Sequence, residues 1–133
     1  MWRLKVAGVK DTVTVEFRGH SIDLAFDFNA QADAQAVTGL TITPMLMRIA
    51  TAEAAGSISV LDVRAVIWGS MRHSIRSSTL EDAGALMGEI GVQKTGTIVA
   101  ALLRAAGYLR DEADDPTQAD VGNVGRPKKK PPK

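Results

Sequence analysis

The sequence predicts an α+β fold, mostly α: an N-terminal β-hairpin, a compact bundle of about five short helices, and a disordered C-terminal tail. Three observations predict it. Apolar and polar residues alternate on both sides of a glycine-containing turn between residues 12 and 27. From there to about residue 109, apolar residues recur at helical spacing between capping residues and glycine stops. Beyond Arg110, Asp, Gly, Pro and Lys dominate and large apolar residues nearly vanish. The chain thus divides into one hairpin-plus-bundle domain, residues 1–110, and a charge-segregated tail, residues 111–133.

In the hairpin, Val13, Val15 and Phe17 alternate with Thr14, Glu16 and Arg18; after Gly19-His20, Ile22, Leu24 and Phe26 alternate with Asp23, Ala25 and Asp27. One face is apolar, and because an isolated hairpin is marginal in water it is expected to lie on the helices. Its outer strand is expected to leave a docking edge of unpaired backbone groups. Residues 1–10 read as a frayed end rather than a third strand, on account of Gly8.

Asn29 is placed to cap a short helix running to about Thr38, stopped by Gly39. Thr43 followed by Pro44 reads as a cap with proline at the first helical position, opening a helix of Met45, Leu46, Ile49 and Ala52 that Gly56 ends. Ser59 with Asp62 has capping-box spacing and opens a third helix, with Val60, Val63, Ile67 and Met71 as its stripe and Trp68 beside it. Residues 74–78 form a linker. Thr79 with Asp82 repeats the capping-box spacing, and Leu80, Ala83, Met87 and Ile90 make the stripe of a fourth helix ended by Gly91. Ile98, Ala101, Leu102, Ala105, Ala106 and Leu109 mark a fifth helix, longer than the fourth.

Composition narrows the class. Apolar residues are 45% and charged residues 23%, enough for a core, but the six aromatics leave Ala, Val, Leu, Ile and Met to fill it. Without cysteine there are neither disulfides nor thiolate metal sites, and a reducing compartment is the natural reading. No apolar run reaches the length of a membrane span, and the first residues lack a signal-peptide apolar stretch, so a cytoplasmic protein is expected. The net charge of +1 recommends no partner, but its distribution is uneven: five acids and no base from Asp111 to Asp120, five bases and no acid from Arg126 to Lys133.

Catalytic constellations are not legible. His20 falls in the expected turn and His73 at a helix end, without the paired spacing of a zinc site. Glu81 and Asp82 are adjacent on a helix, about 100° apart, and capping accounts for them. Gly88-x-x-Gly91-x-x-Lys94-Thr95 lacks the spacing of a phosphate-binding loop, and Lys94-Thr95-Gly96 lacks the partner motifs of acyl-enzymes. No enzyme, no metal and no cofactor is expected. A helix-turn-helix over Met87–Ile98 is the rival reading, with Gln93, Lys94, Thr95 and Thr97 facing base edges. Against it stand the few Lys and Arg on the helix pair, since phosphate contacts supply much of the affinity of such proteins.

The order hairpin, Phe28-Asn29-Ala30, a Pro44-to-Ala55 helix, Asp62-Val63-Arg64-Ala65-Val66-Ile67-Trp68, Thr79-Leu80-Glu81-Asp82-Ala83-Gly84 and an Ala/Leu-rich last helix carries a resemblance. Over residues 12–109 the chain resembles the small tail assembly chaperones of long-tailed phages and related gene transfer agent tail proteins. The resemblance implies a non-enzymatic protein that binds the tape-measure protein, shields its long apolar helix and promotes assembly of the tail-tube protein around it. It also implies a protein of the host-cell cytoplasm, absent from the mature virion. Many phages make a longer frameshifted form of such a protein; the codons of Lys128-Lys129-Lys130 are where a slippery heptamer is expected, and a coding sequence without one removes the idea. Beyond the tape-measure protein, a homo-oligomer is open, as is a structural role as head–tail connector or tail-completion protein. Partner contacts are expected at Met45, Met47, Trp68 and Met71, because methionine surfaces adapt to varied helices; the plainer expectation for each is core packing.

Overall fold

The computed structural model describes residues 12–109. An antiparallel hairpin, β1 (Thr12–Phe17) and β2 (His20–Ala25), precedes five helices: α1 (Phe28–Thr38), α2 (Ile42–Ala54), α3 (Val60–Met71), α4 (Leu80–Ile90) and α5 (Val92–Ala105). The α+β, mostly helical class expected from the sequence is what the chain adopts. Residues 1–10 and the tail beyond Leu109 lie outside the described residues.

The hairpin turn is Arg18-Gly19, one residue earlier than expected. Both have positive φ, +52° and +84°, the backbone that matches the right-handed twist of paired strands. His20 is therefore the first residue of β2, opposite Phe17. This register puts Val15 across from Ile22 and Val13 across from Leu24, and the inner face of Val15, Phe17, Ile22 and Leu24 is buried. The outer face carries a Thr14 hydroxyl bonded to Asp23 Oδ1 at 2.7 Å. The β2 edge is not open throughout: Ser74 Oγ accepts from the Asp23 N–H at 3.0 Å and donates to the Asp23 carbonyl at 2.7 Å.

The bundle is organised around α3, which packs against β2, α1, α2, α4 and α5. Asp62, Val63, Ala65, Val66, Ile67, Gly69, Ser70 and Met71 are all buried, so this helix is covered nearly all round. Val60, placed on its stripe by the sequence, is 54% exposed. The approach of α1 to α3 depends on small residues. Ala30 and Ala34 are buried on α1, and a Cβ at Gly69 would sit 2.5 Å from the Ala30 carbonyl oxygen.

Helix ends follow local chemistry, not always at the expected residue. Asp27, rather than Asn29, caps α1 by accepting from the Ala30 N–H at 2.9 Å. Thr41 rather than Thr43 precedes α2, which leaves Pro44 at the third position, still within the first turn where its missing N–H costs nothing. The Thr79–Asp82 capping box forms as expected: Thr79 Oγ1 accepts from the Asp82 N–H and Asp82 Oδ2 from the Thr79 N–H. The Ser59–Asp62 box does not form, because Asp62 is engaged elsewhere. The last helix ends at Ala105, short of the expected Leu109. Gly107, with φ +93°, turns the chain so that its N–H bonds the Arg104 carbonyl and the Tyr108 N–H the Leu103 carbonyl. Tyr108 then folds back onto α1. Its hydroxyl donates to Gln31 Oε1 at 2.6 Å, and Gln31 Nε2 donates to the Phe26 carbonyl at 3.1 Å.

Candidate functional site

Both α2 and α5 lie on α3, and between them is an apolar groove of about 720 Å³. Its floor is core: Val63 of α3 with Val99 and Leu103 of α5, each no more than 5% exposed. Leu46, Ile49, Ala50 and Glu53 form the α2 wall; Val92, Gln93, Gly96, Thr97, Ala100 and Arg104 form the α5 wall. The loop 56–59 and Leu109 complete the lining. Val92, 67% exposed, and Leu109, 41% exposed, are apolar side chains that water would not select for such positions.

The sequence builds this shape by giving α2 a wider apolar arc than its docking uses. Ile42 and Met45 are buried against the core, while Leu46 and Ile49 stand on the next stripe, only partly covered. In α5, Thr95, Ile98, Val99, Leu102 and Leu103 turn inward, and the hydroxyl of Thr95 is satisfied by the Gly91 carbonyl at 2.7 Å.

The α2 wall is held by a carboxylate. Asp62 has no exposed surface, and it receives Arg48 Nε at 2.9 Å, Arg48 Nη2 at 3.1 Å and the Ser59 hydroxyl. A two-pronged guanidinium contact fixes geometry as well as charge, so the link sets where α2 stands over α3.

The four expected contact residues are not brought together. Met45 and Met71 are fully buried in the core, which corrects their assignment to a partner surface. Trp68 is partly buried and employed internally: its indole N–H donates to the Ser78 carbonyl at 2.8 Å and Arg72 lies over its ring at 5.4 Å, tying the 74–78 linker to α3. Met47 alone is open, 63% exposed, in a shallower depression of about 390 Å³ with Arg48, Thr51, Ala52 and Ser59. The groove residues Leu46, Ile49, Val92, Gly96, Ala100 and Leu109 were not anticipated as a site. The available signals were the second apolar stripe of α2 and the small residues four apart at Gly96 and Ala100.

The expected DNA-reading set fares differently. The helices α4 and α5 meet at a single residue, Gly91. Gln93, Lys94 and Thr97 are exposed, but Thr95 is buried and turned away. Residues 12–109 hold nine Asp or Glu and seven Lys or Arg, and Arg18, Arg48 and Arg72 are among those engaged, with Asp82, Asp62 and Asp33. His20 and His73 are exposed, one at the start of β2 and one in the turn after α3. Among the described residues no three His, Asp or Glu side chains gather where they could hold a metal ion, and no helix is long and apolar enough to cross a membrane. Comparison with protein-family models, curated proteins and solved structures finds no match.

Proposed function

We propose that this protein is a non-enzymatic phage tail assembly chaperone that binds the tape-measure protein and promotes tail-tube assembly in the host cytoplasm. The resemblance over residues 12–109 supplies the partner, and the groove between α2 and α5 supports the mode. An apolar trough between two helices is the usual receptor for the apolar face of a third helix. A chaperone that shields a long apolar helix needs such a surface.

Two measurements test the reading. A long tape-measure reading frame is expected beside this gene, its product is expected to co-purify on co-expression, and mass spectrometry of finished particles is expected to find the chaperone absent. Its presence in stoichiometric amount would favour a head–tail connector or tail-completion protein instead. A salt-sensitive mobility shift on duplex DNA would revive the helix-turn-helix reading, which the acidic balance of residues 12–109 and the burial of Thr95 disfavour.

A further inference from the structure

We propose that the acidic segment from Asp111 to Asp120 of this same chain docks on the open stripe of α3, with one of its carboxylates on the Arg64 guanidinium.

The central helix is covered except along one line. Leu61, Arg64, Trp68 and Arg72 recur at three- and four-residue spacing, and each keeps some exposure while every residue between them is buried. Arg64 leans on α4 from this stripe: a Cβ added to Gly84 would stand 3.8 Å from its Cδ.

The chemistry of Arg64 is unfinished. Its Nε is buried without a hydrogen-bond acceptor, and among the described residues no carboxylate pairs with its guanidinium. A buried N–H without an acceptor loses its hydration and gains nothing in return. Arg48 shows what would complete it: Nε and Nη2 both donate to Asp62, at 2.9 and 3.1 Å. A carboxylate meeting Arg64 in the same two-pronged way satisfies Nε and a terminal nitrogen together.

Charge and reach name the occupant. Between Asp111 and Asp120 stand five acids and no base. Leu109, where the described residues end, lines the same groove as Val63, the neighbour of Arg64 on α3. The chain from Leu109 to Asp120 extends to about 36 Å, and a domain of about 100 residues is roughly 33 Å across. The segment reaches the stripe. Tethered to it, these carboxylates act at an effective concentration on the order of millimolar, which a separate acidic partner has to exceed. Arg76, exposed just past Arg72, offers the segment a second positive charge.

The test uses the full chain. In Arg64→Lys, a water-soluble carbodiimide joins the new amine to a carboxylate that it touches, and peptide mass spectrometry identifies the acid. The expected product is a monomer with an amide between position 64 and an acid of residues 111–120. An amide only to Glu81 or another acid of residues 12–109 overturns the proposal, as does one found only in a dimer, or none. A second measurement leaves Arg64 in place. With Asp111, Asp114, Asp115 and Asp120 changed to Asn and Glu112 to Gln, hydrogen exchange at the Arg64 Nε–H, followed by NMR, is expected to quicken about threefold, the scale of a partly exposed ion pair. The Arg48 Nε–H, held by Asp62, is expected to stay as it was. Equal exchange at Arg64 in both chains overturns the proposal, whether or not the lysine variant folds.

Discussion

Asp82 closes the first turn of α4 and also receives Arg18 from the hairpin turn, at 3.2 Å. The Thr79 backbone N–H, then the Thr79 hydroxyl and the Arg18 guanidinium, hold its carboxyl below the ordinary carboxylate value, against an opposing effect of desolvation. A carboxylate with a depressed folded value contributes stability that is fully present above its unfolded value, about pH 4, and is lost as pH falls through the folded one. Asp82→Asn is therefore expected to be less stable than the parent at pH 7, and the gap in urea midpoint should narrow towards pH 2. A constant gap would mean that the charge is not what Asp82 contributes. The comparison with Asp62 shows how much of this was legible. Ser59-x-x-Asp62 and Thr79-x-x-Asp82 have the same spacing, yet only the second forms a capping box. What separates them is Arg48, fourteen residues away from Asp62 and brought to it by the turn between α2 and α3. Local spacing carries no record of that competitor.

At the scale of elements, the hairpin and all five helices were legible because each has its own period and its own stop. Their ends were less so. Pro44 suits any place in a first turn, so it did not single out the first position. The apolar spacing runs on to Leu109, but Gly107 cuts it, since a residue at φ +93° cannot continue a helix. The crossing of α1 over α3 could not be read from either helix alone. It is set by Gly69 against the backbone of Ala30, and it gives the clearest contrast in the molecule. Gly69→Ala meets a carbonyl oxygen, and overpacking of that kind costs about 1–3 kcal/mol, more than the roughly 1 kcal/mol that alanine gains over glycine in a helix. Gly88→Ala meets nothing and keeps the gain. Thermal unfolding should show the first variant destabilised and the second stabilised.

At the scale of the molecule, the groove belongs to no interval of the sequence. It lies between two helices that share α3 as a base, and its wall residues are spread from Leu46 to Leu109. Methionine as a residue type points here mostly to core, since Met45 and Met71 are what fill a bundle poor in aromatics. The groove's width depends on α2, which packs mainly on α3 and α1 and is pinned by Arg48 on Asp62. Arg48→Met leaves a buried carboxylate unpaired, a change that costs about 3–5 kcal/mol where both groups are buried; the half-exposed Arg48 side chain places it towards the low end. Denaturant unfolding is expected to show that loss, and Arg48→Met with Asp62→Leu to recover most of it. If the single variant unfolds like the parent, α2 is held by its apolar contacts alone.

The bond from Tyr108 to Gln31 joins residues 77 positions apart. A ribosome delivers the chain from its N-terminus, so Gln31 emerges early and waits through the synthesis of all five helices for its partner. The final tie of the domain is made only when its last few residues appear. A chain ending at Ala106 has the sequence of every strand and helix described here, yet lacks the hydroxyl that ties the end of α5 to α1.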